Sequence, residues 1–209
     1  MVLTVEGGTV GAVLDTLFTR PGSATDAALS DAARWLHRAG VTPNRLSHAA
    51  LACGVAAGVL FYLDHGWLAY AVVLLSGACD AVDGRVARLG DGSTPWGGVL
   101  DLTFDRIVEV SVLLGIAVPR PDLHLPALVL ATTWYVNLCV FLAVGAASSG
   151  QSEKIIHYPP GLLERGEALV FAFIAVALPS LAAAAAYVYA ALGVVTAAQR
   201  FRYGRRALR

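Results

Sequence analysis

The stretch DAVDGRVARLGDGSTPWGGVLDLTFD, residues 80–105, contains five aspartates in a chain that is otherwise strongly apolar. On a helix, Asp80 and Asp83 share a face because they are three residues apart, and Asp101 and Asp105 share one because they are four apart. The glycine-containing connection permits an antiparallel return, so we expect the two pairs to converge. Carboxylates at membrane depth are costly, and we therefore interpret the set as functional.

The composition is typical of an integral membrane protein. The 209 residues are 57% hydrophobic and 14% charged, whereas about a quarter of the residues in a soluble domain are charged. The net charge is zero, and without a strongly basic domain a nucleic-acid partner has no support. Cys53, Cys79 and Cys139 are odd in number and lie in apolar runs, so we expect no disulfide framework and no metal cluster from them.

The apolar segments follow one another without a linker and predict an all-α domain with six transmembrane helices. Each segment is close to the roughly 20 residues that a bilayer requires. We assign this transmembrane domain, which is expected to carry the catalytic residues, to residues 47–209. The predicted spans are 47–64, 67–88, 95–118, 125–149, 162–179 and 181–201.

Residues 1–46 are expected to form an N-terminal juxtamembrane segment on the cytoplasmic side. Apolar residues at helical spacing around 10–18 and again around 28–36 are typical of amphipathic helices at a membrane surface. Glu6 and Asp15, with no basic residue at the start, argue against a cleaved signal peptide.

Basic residues are distributed asymmetrically over the predicted connections. With six spans, both termini share one side with the second and fourth connections, and Arg120 alone falls on the other side. The positive-inside rule makes the first side cytoplasmic, so both termini and the aspartates should face the cytoplasm from the cell (inner or plasma) membrane. The basic residues on that side are Arg20, Arg34, Arg38, Arg45, Arg85, Arg88, Arg106, Lys154, Arg165, Arg200, Arg202, Arg205, Arg206 and Arg209.

Four converging carboxylates would repel one another unless cations bind between them. Hard oxygen ligands suit Mg²⁺, Mn²⁺ or Ca²⁺, and a pair of such ions suits displacement at phosphorus. Gly84, Ala87 and Gly97 leave room for a bulky ligand, and Arg88 supplies a forked donor for phosphate. Together these residues indicate a pyrophosphate substrate.

The chain resembles the complete signature of the CDP-alcohol phosphotransferases, an integral membrane family, in the pattern Asp80-x2-Asp83-Gly84-x2-Ala87-Arg88-x8-Gly97-x3-Asp101-x3-Asp105. The resemblance extends to six spans, a preceding surface helix and the segment GVTPNRLS at 40–47. It implies transfer of a substituted phosphate group from a CDP-activated donor to an alcohol, with release of CMP. It also implies a homodimer.

The resemblance further implies a role for each signature residue. Asp80, Asp83 and Asp101 would be ligands of Mg²⁺ or Mn²⁺, with two ions expected, and Asp105 would be the catalytic base and a further ligand. The CDP site would be lined by Gly84, Ala87, Arg88 and Gly97.

Simpler interpretations stay open for this set. The aspartates could orient helices or bind a structural ion, although intramembrane carboxylates rarely have only that role. Arg88 could be a cytoplasmic anchor, and Gly84 and Gly97 could let helices pack closely.

Three further residues are candidates for binding the acceptor. Glu109 extends the face of Asp105 and is expected either in the acceptor pocket or in an ion pair with Arg106. Lys154 and Arg165 could hold an anionic part of a substrate, or could simply follow the positive-inside rule. Their segment is similar to an arginine-bearing segment in enzymes that make phosphatidylinositol phosphate.

The favoured function is metal-dependent transfer of a phosphatidyl group from CDP-diacylglycerol to a small polar alcohol in phospholipid synthesis. The basic residues near 154–165 favour a phosphorylated acceptor such as inositol phosphate or glycerol phosphate. The alternative within the family is a CDP-linked polar headgroup transferred to a lipid or another alcohol. From a different class, a divalent-cation transporter would use the aspartates for transit, but the sequence shows neither the repeats nor the midplane helix breaks of transporters.

Overall fold

The computed structural model describes residues 23–90, 92, 94–149 and 165–208, without the side chains of 148, 149, 165–167 and 207. Within these residues every regular element is a helix, which confirms the all-α class. The α-helices are α1 (Ala24–Arg38), α2 (Pro43–Tyr62), α3 (Gly66–Leu89), α4 (Pro95–Ala117), α5 (His124–Ser149), α6 (Arg165–Ala177) and α7 (Ala182–Ala207). Short 3₁₀ helices, Pro121–Leu123 and Pro179–Leu181, precede α5 and α7.

Helix α1 covers the segment around 28–36 and extends beyond it at both ends. The Ser23 hydroxyl accepts the N–H of Asp26 at 3.1 Å and caps the first turn. The chain leaves the helix through Gly40, whose φ of +73° suits glycine. The helix expected around 10–18 lies outside the described residues.

Helix α2 begins at Pro43, ahead of the predicted start of the first span at 47. Thr42 is extended and precedes Pro43, whose fixed φ and missing N–H suit the first turn of a helix. The helix therefore includes residues that the predicted span left out. The ends of α3, α4 and α5 agree with the predicted spans to within one residue, whereas α7 continues past 201 to Ala207.

In the part of the chain that the structure describes, four helices are long and apolar enough to cross a membrane, which supports a membrane protein. They are Pro43–Tyr62, Gly66–Leu89, Pro121–Ala147 and Pro179–Arg206. Helix α4 differs from them because it carries Asp101, Asp105, Arg106 and Glu109. The described part of α6 has 13 residues, fewer than a bilayer requires.

The main apolar core lies in the half of the bundle away from the aspartates and contains residues from each of α2 to α7. Its side chains include Phe61, Val112, Leu130, Phe171 and Tyr189. A second, smaller cluster packs α1 against α2 and α3 through Ala33, Leu46, Val82 and Val86. The aspartates therefore lie between the main apolar core and helix α1.

Helices α2 and α4 pack through glycine. A Cβ on Gly115 would lie 2.1 Å from the carbonyl oxygen of Gly58, and a Cβ on Gly58 would lie 2.5 Å from the carbonyl oxygen of Ser111. The two backbones are therefore in direct contact, which only glycine permits at these positions. Because Asp101 and Asp105 lie on α4, this contact also sets their position.

We expect Gly115→Ala to destabilise the protein. Overpacking costs about 1–3 kcal/mol, and here the obstacle is backbone, so the loss should exceed the gain of about 1 kcal/mol in helix propensity. Thermal unfolding in detergent measures the change. Gly77→Ala is the matched control, since a Cβ there would meet nothing within 4 Å. Equal melting temperatures for the two variants would contradict the proposed backbone contact.

Candidate active site

Three of the four predicted aspartates converge. Asp80 of α3 and Asp101 and Asp105 of α4 each offer a carboxylate oxygen, and these oxygens lie within 4.8 Å of one another. The return that brings them together is stabilised by Thr94, whose Oγ1 accepts the N–H of Gly97 at 3.0 Å and caps α4. The expected convergence is confirmed for these three residues.

Asp83 does not belong to this group of three. Its Oδ2 accepts a hydrogen bond from the Ser47 hydroxyl of α2 at 2.6 Å. Ser47 was missed by the sequence reasoning, although it ends the quoted segment GVTPNRLS. The contact could not be found from spacing, because it joins residues 36 positions apart.

A wide cleft of about 1360 Å³ opens on one side of the aspartates. It contains the whole predicted CDP site, since its lining includes Gly84, Ala87, Arg88 and Gly97. It is also lined by Asp80, Asp83 and Asp101.

The close-packing interpretation of the two signature glycines is wrong for the part of the chain described. A Cβ on Gly84 would meet only Arg88 Nη1, at 3.7 Å, and a Cβ on Gly97 would meet only Thr94 Oγ1, at 3.2 Å. Neither glycine approaches another helix there. Both leave open space on the cleft side, as a bulky ligand requires.

A second, smaller cavity of about 70 Å³ shares Ser47, Asp80 and Asp101 with the cleft and also borders Asp105 and Glu109. Its remaining lining is mostly apolar, with Val73, Val112, Leu113, Trp134 and Phe171. The aspartates thus stand between a wide cleft and a small cavity.

The ion pair expected between Glu109 and Arg106 is present. Glu109 lines the small cavity, and its Oε2 lies 2.7 Å from Arg106 Nη1. The Glu109 side chain is 13% exposed, so the ion pair is largely shielded from water. The ion pair fixes the orientation of both side chains.

The other acceptor candidates are not placed by the structure. Lys154 lies outside the described residues, and Arg165 begins α6 without a described side chain. However, Ala168, Leu169 and Phe171 of α6 line the small cavity. The start of α6 therefore lies close to the side of the aspartates where Glu109 is found.

Two walls of the wide cleft were not predicted. One is the end of α1 and the following turn, which contribute His37, Gly40 and Val41. The other is α5, which contributes apolar Phe141 and Leu142 with the small residues Gly145 and Ala146. In the sequence, the small residues Gly145 and Ala146 near the end of a predicted span could have indicated this second wall.

The carboxylate group fits hard divalent cations. Unit negative charges within 4.8 Å repel by at least roughly 3 kcal/mol per pair at an effective dielectric constant of about 20. Mg²⁺ and Mn²⁺ bind carboxylate oxygens and would offset this repulsion. The donor set is entirely oxygen, which matches their preference.

A family model described as CDP-alcohol phosphatidyltransferase matches residues 40–199, which include all the signature residues. The chain belongs to this family. It is therefore a transferase of substituted phosphate groups, and the predicted family and enzyme class are confirmed.

Similar members of the CDP-alcohol phosphatidyltransferase family include enzymes named for inositol phosphate lipids. The archaetidylinositol phosphate synthase of Pyrococcus horikoshii is 31% identical over 164 residues, which cover 77% of this chain and 82% of that enzyme. The fold is similar to that of the phosphatidylinositol phosphate synthase of Mycobacterium tuberculosis with CDP-DAG bound. The TM-score is 0.70 at 26% identity, over 84% of this chain and 92% of the other.

A second structure of the mycobacterial enzyme, in complex with manganese and citrate, also has a TM-score of 0.70 at 26% identity, over 85% of this chain and 88% of the other. The family is dependent on divalent metals, which agrees with the prediction of Mg²⁺ or Mn²⁺. The carboxylate group of this chain has the composition that such dependence requires.

We expect Mn²⁺ to stabilise the protein through this group. Binding at a hundred times the Kd adds about 2.7 kcal/mol, which for a chain of this size raises the Tm by about 5–10 °C. In Asp105→Asn, the metal-free protein should melt higher because one repelling charge is lost, and the Mn²⁺ shift should shrink.

The matched control is Asp64→Asn in the turn between α2 and α3. Asp64 is exposed with a φ of 62°, which asparagine also tolerates. An equal Mn²⁺ shift in the Asp105 and Asp64 variants, or an equal shift with NaCl at the same ionic strength, would contradict a cation site at Asp80, Asp101 and Asp105.

Proposed function

We propose that this protein transfers a phosphatidyl group from CDP-DAG to the hydroxyl of a small phosphorylated alcohol, with release of CMP. The observation that carries the proposal is the carboxylate group between two cavities. The wide cleft holds the signature residues of the donor site, and the small cavity holds Asp105 with Glu109. Donor and acceptor can therefore approach the same carboxylates from two sides.

The carboxylates of Asp80, Asp83, Asp101 and Asp105 would hold Mg²⁺ or Mn²⁺, with two ions expected. When bound, such ions offset the negative charge of the pyrophosphate and of the phosphate group in transfer. Asp83 is the ligand whose orientation depends on another helix, since its carboxylate accepts from Ser47.

Asp105 is proposed as the general base. It belongs to the carboxylate group and also borders the small cavity, so it can accept the proton of an acceptor hydroxyl that arrives from that side. Removal of this proton makes the hydroxyl oxygen the nucleophile that attacks phosphorus. CMP leaves on the side of the wide cleft.

Arg88 is proposed to bind the pyrophosphate. It lines the cleft, is exposed and lies beside the open space at Gly84, where its Nη1 would be 3.7 Å from an added Cβ. A guanidinium can donate two parallel hydrogen bonds to phosphate oxygens. Ala87 and Gly97 keep the adjoining surface free of bulky side chains.

The lipid part of the donor is proposed to leave the cleft along α5. Phe141 and Leu142 give this wall an apolar surface, and Gly145 and Ala146 leave room beside it. Acyl chains would thereby reach the bilayer without passing the charged residues. This arrangement favours the lipid as donor over the alternative of a CDP-linked polar headgroup.

The acceptor is proposed to be inositol phosphate or glycerol phosphate, held by Glu109, Lys154 and Arg165. Glu109 is suited to bind hydroxyl groups, and the two basic residues are suited to bind the acceptor's phosphate. The names of the relatives favour inositol phosphate. The transporter hypothesis is set aside, because membership of the enzyme family accounts for the complete signature.

We further propose that α4 and α6 also cross the membrane, which would give six spans. Both termini and the aspartates would then face the cytoplasm from the cell membrane, with residues 1–46 as the juxtamembrane segment and 47–209 as the catalytic domain. A contact between two connections supports this arrangement. Arg120, between α4 and α5, donates to the carbonyl oxygen of Pro179, between α6 and α7, at 2.8 Å. A homodimer is proposed from the family resemblance.

We expect the purified protein to release CMP from CDP-DAG with Mg²⁺ or Mn²⁺ only when an acceptor is present. Asp105→Asn should lower kcat by at least about a hundredfold, because general-base catalysis contributes that much. Asp64→Asn should retain full activity, since Asp64 lies in the turn between α2 and α3. Acceptor-independent CMP release, or release only from CDP-linked headgroups, would refute the proposed donor and acceptor.

We expect Arg165→Ala to raise the KM for the phosphorylated acceptor by about tenfold or more, because a hydrogen bond to a charged group contributes about 1.5–3 kcal/mol. The KM for CDP-DAG should not change. Glu109→Gln should likewise affect the acceptor more than the donor. Arg202→Ala, in the exposed end of α7, is the matched control. Unchanged acceptor kinetics in the Arg165 and Glu109 variants would exclude both residues from the acceptor site.

A further inference from the structure

Helix α1 is tied to the signature helix α3 by an arginine that does not line the cleft. Arg85 Nη1 donates to Asp26 Oδ1 at 2.7 Å and to Ser30 Oγ at 3.0 Å. The side chains of Arg85 and Asp26 are only 17% and 25% exposed. Such shielding and the additional hydrogen bond make the contact stronger than an exposed ion pair.

Arg85 lies within the signature in sequence but on another side of the helix. Gly84, Ala87 and Arg88 line the wide cleft, whereas Arg85 is absent from the lining. Successive residues of a helix are rotated by about 100°, so the side chain after Gly84 points away from the cleft and towards α1. Any effect of Arg85 on the ligand must therefore pass through α1.

The end of α1 forms a wall of the cleft. His37, Gly40 and Val41 belong to the lining, and the His37 ring lies against Gly90, where an added Cβ would be 3.6 Å from His37 Cε1. Ala33, which is 1% exposed, packs on Val82 and Val86 of α3. This apolar contact is non-directional, whereas the Arg85 contact fixes the position of α1 along α3.

We propose that Arg85 is a positioning residue for the CDP part of the donor. Through Asp26 and Ser30 it holds α1 so that residues 37–41 complete the wall of the cleft; this inference rests on the proposed function. When the contact is lost, only a fraction of the molecules has the wall in place, and the apparent affinity for the donor falls by that fraction. The carboxylates are untouched, so the chemical step proceeds at its normal rate.

Steady-state kinetics of CMP release with CDP-DAG test the proposal. Arg85→Ala and Asp26→Ala should each raise the KM for CDP-DAG by about tenfold if a tenth of the molecules keep α1 in place. The kcat and the KM for the acceptor should stay within about twofold. The charge-reversed double variant, Arg85→Asp with Asp26→Arg, should recover most of the loss in KM.

The matched control is Arg34→Ala, which removes an ion pair on the same helix. The Arg34 and Asp31 side chains are 53% and 71% exposed, and the pair lies within α1. Its loss should leave the KM for CDP-DAG unchanged. An equal rise in KM for the Arg34 and Arg85 variants would assign the effect to surface charge and overturn the proposal.

Hydrogen–deuterium exchange of the full chain gives a readout that needs no turnover. CDP with Mn²⁺ should slow exchange at residues 37–41, and Arg85→Ala should speed exchange in α1 and reduce that protection. If Arg85→Ala fails to fold, Asp26→Ala removes the same contact by a change in α1 and is measured in the same way. An unchanged KM and unchanged protection in the Asp26 variant would overturn the proposal, whereas a wild-type protein that releases no CMP would instead overturn the proposed function.

Discussion

The rest of the structure depends on the repulsion among three carboxylates. Asp80, Asp101 and Asp105 lie within 4.8 Å of one another on two helices. Each pair of charges costs roughly 3 kcal/mol or more at an effective dielectric constant of about 20. Only contacts elsewhere can hold α3 and α4 together against this force, and a cation relieves it.

Helix α2 supplies those contacts. Gly58 and Gly115 bring the backbones of α2 and α4 into contact, and the Ser76 hydroxyl of α3 donates to the carbonyl oxygen of Ala50 at 2.7 Å. Helix α2 thus holds both helices that carry the aspartates. The closed core around Phe61 and Leu130 leaves the other end of the bundle free to open into the cleft.

Under the proposed function, the position of the carboxylates explains how a lipid and a polar alcohol could react in one site. The wide cleft has an apolar wall from α5, and the small cavity contains Glu109 in an ion pair with Arg106. Asp80 and Asp101 border both cavities, and Asp105 borders the small cavity. Under the proposed function, the donor and the acceptor would therefore meet at these carboxylates.

The sequence was sufficient for the helical class, most helix ends and the carboxylate pairs, because these follow from local spacing. It was less reliable at the start of α2, where the helix begins at Pro43, ahead of the predicted span. The local pattern could not show whether Gly84 and Gly97 allow close helix packing or leave space for a ligand. The answer depends on whether another helix lies against each glycine, which only the tertiary structure shows.

By itself, the sequence determined the family, predicted a metal site at the aspartates and showed the likeness of residues 80–105 to a CDP site. The tertiary structure alone decided that Ser47 orients Asp83, that Arg85 ties α1 to α3 and that Glu109 both pairs with Arg106 and borders a cavity. The physical reason is that spacing along a helix specifies which residues share a face, whereas the partner of that face is set by helices distant in sequence.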